Sequence, residues 1–280
     1  MNVTARDGTT LAVHSSGTGP SLLCVPGGPG RAAVYLEDLG GLSATRTLQL
    51  LDNRGSGASQ LPMDRDSLAF PRLPDDVEDV RVALSLSPAD ILGHSAGCPV
   101  VLLHAARHPE VVRRLVLVTP SGRPFGWAAD DVDAIRETRT GEPWYDEAAE
   151  AAEIAPRANP ALRRELDRVM RPLWYGRWDE RTQAHAAGAD DQVSLRAAAG
   201  YVPMSGGYDA REALESLRGI TAEVLVVVGT LDAMTGVSVA DRFAEVIPKV
   251  QVARIDGAGH FPWVDQPAAF SSAVETFLAS

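Results

Sequence analysis

Asp90-Ile91-Leu92-Gly93-His94-Ser95-Ala96-Gly97-Cys98-Pro99-Val100-Val101 decides the fold. Asp90–Leu92 reads as the end of a buried strand, and Cys98–Arg107 as a helix that stops at the His108-Pro109 step. Between them stands Gly93-His94-Ser95-Ala96-Gly97, a G-x-S-x-G pentapeptide. A strand-to-helix turn this sharp leaves no room for large neighbours, which accounts for both glycines and Ala96. It lifts the serine hydroxyl above the sheet, next to a helix N-terminus and the Ala96 N–H. The pentapeptide alone is a weak signal; strand before and helix after make it specific.

Working outward, short β-rich runs alternate with helical patterns, the rhythm of an α/β fold with a largely parallel sheet. Strands are expected at Asn2–Arg6, Thr10–His14, Ser21–Val25, Arg46–Leu51, Asp90–Leu92 and Arg114–Val118. Several are continuous Leu/Val runs, as strands covered on both faces should be. Asp75–Leu86 has helical spacing, with Val77, Val80 and Leu84 on one face. From about Ser121 to Arg218 the texture changes: the stretch is rich in Ala, Arg and acids, holds four of the five tryptophans and offers no convincing strand. Glu223–Val228 restores the buried-strand pattern, followed by helix Val237–Val246, strand Gln251–Ile255 and helix Pro267–Leu278. The expected organisation is a core of residues 1–120 and 221–280, interrupted after the sixth of eight strands by a helical insertion, residues 121–220.

A serine hydroxyl needs a base to act as a nucleophile, and the base needs an orienting carboxylate. Of six histidines, His260 stands in the small-residue loop Gly257-Ala258-Gly259-His260, just after the last strand. Parallel sheets keep their sites at such strand ends. His94 flanks Ser95, but neighbouring strand residues point to opposite faces, which makes it a poor base for that serine. Asp232, in Gly229-Thr230-Leu231-Asp232, also follows a strand; Asp256 is nearer in sequence and is the alternative. Ser95, Asp232, His260 is the chain order of one known arrangement of the serine triad. Pro26-Gly27-Gly28-Pro29-Gly30 offers a backbone N–H, at Gly28, to join Ala96 around a developing oxyanion. In Asp52-Asn53-Arg54-Gly55-Ser56-Gly57-Ala58-Ser59, Asp52 and Arg54 read as a bracing ion pair, with Arg54 touching substrate as the alternative.

Composition removes other classes. The 280 residues are 45% hydrophobic and 22% charged, enough for a sizeable core. No apolar run approaches a membrane span, and no secretory leader is visible, so a cytoplasmic location is expected. A net charge of -11 is the wrong sign for an unaided nucleic-acid or anionic-membrane binder. Cys24 and Cys98 read as small buried hydrophobes, too few for a disulfide framework or a zinc site.

These residues together resemble the α/β-hydrolase superfamily, and within it the proline iminopeptidase-like serine hydrolases. The resemblance rests on P-G-G-P-G at Pro26–Gly30, D-N-R-G-S-G-A-S at Asp52–Ser59, G-H-S-A-G at Gly93–Gly97, G-T-L-D at Gly229–Asp232 and G-A-G-H-F-P-W at Gly257–Trp263. It implies a helical cap over the site and no cofactor or metal. Two departures stand out: Pro26 replaces the histidine that usually opens the first motif, and His94 and Ala96 flank the serine as in general esterases of the fold. Epoxide hydrolases and haloalkane dehalogenases resemble this core but carry aspartate at the elbow. A non-catalytic receptor of the same fold is the rival outside enzymes.

In the insertion, Glu142, Asp146 and Glu150 fall on one helical stripe, read either as a solvated face or as a negative site for a substrate ammonium. Trp174 and Trp178 either pack the insertion or touch substrate. The expectation is a serine hydrolase acting on a small peptide or aminoacyl amide, with an esterase or lactonase on a small molecule as the alternative.

Overall fold

The computed structural model describes residues 1–201 and 208–280. Eight strands form one sheet: β1 Asn2–Thr4, β2 Thr10–Gly17, β3 Ser21–Val25, β4 Thr47–Leu51, β5 Ala89–His94, β6 Val112–Val118, β7 Glu223–Gly229 and β8 Val250–Ile255. Their spatial order is β1-β2-β4-β3-β5-β6-β7-β8, antiparallel in the first two pairings and parallel from β4 onward. β5, buried throughout, and β7, buried beyond Glu223, lie inside the sheet, whereas β8 is an edge strand buried only at Ile255.

Side-chain alternation along the parallel strands divides the interior into two layers. Leu23, Val25, Ile91, Leu115, Leu117, Val224 and Val226 meet α1 (Leu73–Ala83) and α2 (Gly97–Arg107) on one face. Leu22, Cys24, Leu92, Val116, Val118, Leu225 and Val227 face the other way. The helix α1 begins two residues before the expected Asp75, because Pro74 is tolerated in a first turn where its missing N–H is not needed. Cys98 sits in the first layer and Cys24 in the second, both buried as free thiols.

The chain between β6 and β7 contributes α3 (Val132–Glu137), α4 (Tyr145–Ile154), α5 (Pro160–Met170), α6 (Glu180–Ala187), α7 (Ala189–Gln192), α8 (Leu195–Tyr201) and α9 (Ala210–Ser216). It has its own small core of Ile135, Ala148, Ala151, Ala152, Met170 and Leu173. An isolated antiparallel bridge, Arg31 to Val193, ties it to the loop after β3. Beyond β7 the chain adds α10 (Val239–Val246), α11 (Pro262–Asp265) and α12 (Pro267–Ala279), and Phe270, Val274 and Phe277 of α12 close the second layer.

The residues of the acidic stripe are exposed. Ala148, Ala151 and Ala152 turn α4 inward, which leaves Asp146 and Glu150 exposed on the opposite side; Glu142, just before the helix, is exposed and pairs with Arg139 at 3.4 Å.

The bracing ion pair is also different from the expectation. Asp52 accepts from the Ala33 and Ala58 N–H groups and from His14 Nε2, and does not pair with Arg54. Arg54 instead donates through Nε to Asp76 at 2.6 Å and through Nη1 to Asp7 at 2.7 Å and the Ser67 carbonyl at 2.9 Å. Arg54 is 3% exposed and Asp76 is 1% exposed, so removing either strands a buried charge. Arg54→Met is expected to lower unfolding stability by about 3–5 kcal/mol, and pairing it with Asp76→Leu to restore most of the loss. Chemical denaturation of the two variants checks this; a single-variant loss under about 1 kcal/mol would contradict it.

Candidate active site

Ser95 occupies the turn between β5 and α2 with φ of 52°, a left-handed backbone rare for a side chain of its kind. The turn is held by close backbone packing. A β-carbon on Gly97 would lie 2.5 Å from the Val25 carbonyl oxygen, and one on Gly27 would lie 2.7 Å from the His94 carbonyl oxygen and 3.1 Å from the Ala96 nitrogen. The Ser95 N–H donates to the Val118 carbonyl at 2.9 Å, so the elbow is also pinned to the neighbouring strand.

The same approach brings Gly27-Gly28 against Ala96. The Gly27 N–H is already taken by the Tyr35 hydroxyl at 2.7 Å, and Pro29 has none. Among the described residues the Gly28 and Ala96 N–H groups donate to nothing. Gly28 lines the cavity in front of Ser95.

Asp232 and His260 come together from the ends of β7 and β8. His260 Nδ1 donates to Asp232 Oδ2 at 2.9 Å. Asp232 also accepts from the Thr235 hydroxyl at 2.7 Å and from the Met234 and Thr235 N–H groups at 2.8 and 3.1 Å. Complete burial opposes charge on this carboxyl, but the His260 ring and these donors outweigh it and hold its pKa below the usual carboxylate range. The alternative partner, Asp256, is exposed and accepts from the Thr230 hydroxyl at 3.3 Å.

The loop carrying His260 is fixed at its backbone. The His260 N–H donates to the Trp174 carbonyl at 2.7 Å, and its own carbonyl accepts from the Thr119 hydroxyl and from His94 Nε2, both at 3.0 Å. Because His94 Nε2 faces a carbonyl it must carry the proton, which leaves Nδ1 to accept from the Tyr35 hydroxyl at 2.6 Å. Burial lowers the His94 pKa, in keeping with that neutral tautomer. His94 is thus a strut between the elbow and the His260 loop. Asp265 ties the same loop to the helical insertion, accepting from the Gly259 and Gly176 N–H groups at 2.8 and 2.9 Å.

Sequence reading did not single out Tyr35, Thr119, Tyr201 or Asp265. Tyr201 donates to the Ala96 carbonyl at 2.6 Å from the far end of the helical insertion. Only Asp265 leaves a local trace, five residues beyond His260; the others act across distances in the chain that no motif spans.

Ser95, His260 and Gly28 border one cavity of about 610 Å³, within the range of small-molecule sites. Of the proposed substrate contacts, Trp174 lines it. Trp178 packs against Tyr175 instead, and Arg54 borders a separate narrow cleft. Glu142, Asp146 and Glu150 are absent from its walls. The charged wall is formed by Arg31, Arg164, Arg168 and Arg171, with Glu165, Asp167 and Asp190. No described helix is long and apolar enough to cross a membrane.

Residues 20–267 match the family model for the alpha/beta hydrolase fold. The chain is 22% identical to a proline iminopeptidase of Heyndrickxia coagulans, over 95% of this chain and 92% of that protein. It is 29% identical to a 2-hydroxymuconate semialdehyde hydrolase of Pseudomonas putida, over 96% of this chain and 86% of that protein. The structure of an esterase from a Rhodococcus species superposes with a TM-score of 0.78 at 25% identity, covering all of this chain and 98% of the other. A family match across most of the chain, with the sheet order and the strand-turn-helix at Ser95, establishes that this protein belongs to the α/β-hydrolase fold family and is a hydrolase.

Proposed function

We propose that this protein is a serine hydrolase that cleaves a small carboxylic ester or lactone through an acyl-enzyme, with the helical insertion as the cap over its site. The observation that carries the reading is the Asp232–His260 hydrogen bond at 2.9 Å beside the same cavity as the strained Ser95. In this reading His260 Nε2 takes the Ser95 proton as Oγ attacks the substrate carbonyl. The oxyanion forms against the unpaired Gly28 and Ala96 N–H groups. His260 then returns the proton to the leaving alcohol, and the C–O bond to it breaks. Water repeats the sequence on the acyl-enzyme, giving the acid and free Ser95. Asp232 keeps Nδ1 protonated and stabilises the imidazolium. The other polar groups around this centre serve to hold it: Thr235 the carboxylate, Thr119 and His94 the loop.

An ester is favoured over a peptide because the acidic residues offered for a substrate ammonium are exposed and do not line the cavity. The names of the relatives include an esterase and an enol-lactonase, which support the same direction. One observation favours the aminopeptidase reading: Glu165 lines the cavity and forms no ion pair among the described residues, so it is open to an ammonium.

Ser95→Ala is expected to lower kcat by about 10³-fold or more while the protein stays folded. Turnover near that of the unmutated enzyme would overturn the assignment of the nucleophile. Short-chain 4-nitrophenyl esters should give a higher kcat/KM than aminoacyl-naphthylamides, and Glu142→Gln, Asp146→Asn and Glu150→Gln should leave both unchanged. A preference for the amides that Glu165→Gln abolishes would move the aminopeptidase reading ahead.

A further inference from the structure

Arg31 is the one charged side chain of the cavity wall that is both deeply buried and without an ion partner among the described residues. It is 5% exposed and follows directly on the Pro26–Gly30 loop. Its Nε donates to Gln192 Oε1 at 2.9 Å and its Nη2 to the His185 carbonyl at 3.3 Å, both neutral acceptors. The guanidinium lies 4.2 Å from the centre of the Tyr35 ring and 5.8 Å from that of Phe261, the residue after His260. Its Nη1 has no partner among the described residues and is not sealed off, so these N–H groups are left to the cavity that Arg31 borders.

A buried guanidinium without a counter-charge costs free energy that neutral acceptors and aromatic faces only partly offset. Burial also pulls its pKa down, although arginine keeps its charge. The neighbouring arginines do not relieve it. Arg168 and Arg171 share the single carboxylate of Asp190, at 3.2 and 2.5 Å, and Arg171 Nε is buried without a partner. Asp167, the next carboxylate of the wall, pairs with Arg163 at 2.7 Å, so Arg31 is left as a buried positive charge that a monoanion would match.

Resting on the serine hydrolase reading, we infer that the natural substrate is an ester or lactone bearing a second, free carboxylate, and that Arg31 pairs with that carboxylate. The planar fork of arginine suits a carboxylate better than a point charge would, and the surrounding rings keep water away from the pair. The binding step involves no bond change; it places the scissile carbonyl over Ser95.

The test compares kcat/KM for mono-(4-nitrophenyl) glutarate with that for its methyl ester, which lacks the charge. The unmutated enzyme is expected to prefer the anion, and Arg31→Gln to lower the ratio of anion to methyl ester by about 10- to 100-fold. Glu142→Gln, a charge change away from the cavity wall, should leave the ratio where it was. Should Arg31→Gln not fold, benzoate is expected to inhibit the unmutated enzyme competitively where benzamide does not. A ratio at or below one in the unmutated enzyme, equal losses on both esters in Arg31→Gln, or equal inhibition by benzoate and benzamide would overturn the inference. Labelling by a fluorophosphonate separates the two layers. If Ser95 is labelled, a missing preference sinks the carboxylate reading alone. If Ser95 is unlabelled and neither ester is cleaved, the hydrolase reading fails and takes this inference with it.

Discussion

The left-handed backbone at Ser95 is the constraint on which the site depends. A side chain at φ of 52° costs roughly 1–2 kcal/mol, and the turn persists only because its surroundings over-determine it. Gly27 and Gly97 let two backbones approach at distances no side chain would permit, and the Ser95 N–H is captured by β6. The close approach has a second consequence. It places the Gly27-Gly28 turn beside the first turn of α2, so the elbow and the unpaired N–H groups next to it are products of one packing contact.

The carboxylate and histidine arrive from the other half of the chain, so they must be registered to the elbow by long-range contacts. The parallel pairing of β5, β6, β7 and β8 sets the height of each strand end. The final alignment is made by His94 and Thr119 on the His260 carbonyl and by Trp174 on its N–H. The Trp174 contact comes from the insertion. A change in how that segment packs would therefore reach the His260 loop through this hydrogen bond and through the Asp265 bridge between Gly176 and Gly259.

The fold was legible because its signals are local. Continuous apolar runs, glycine at tight turns and a strand-turn-helix around Ser95 each occupy a few residues, and the strands lie within a few positions of where those patterns put them. Asp232 and His260 stand out for the same reason, as polar residues in short loops that follow strands. Direction and partnership are not local. The stripe Glu142, Asp146, Glu150 has helical spacing whether it faces water or substrate; only the alanines opposite, packed against the insertion's own core, decide it. Proximity in sequence pairs Arg54 with Asp52, whereas its partners in the fold are Asp7 and Asp76. Arg31 left no sign at all, because the wall it joins is assembled from segments more than a hundred residues apart.

The central claim is that Ser95 carries the acyl group of the substrate. Rapid quenching of the enzyme after mixing with a 4-nitrophenyl ester, followed by peptide mass mapping, tests it most directly. One acyl group per chain is expected, on the peptide and at the hydroxyl of Ser95, appearing before steady-state turnover and absent from Ser95→Ala. Ester hydrolysis at full rate with Ser95 unmodified at every time point, or an acyl group mapped to another residue, would contradict it.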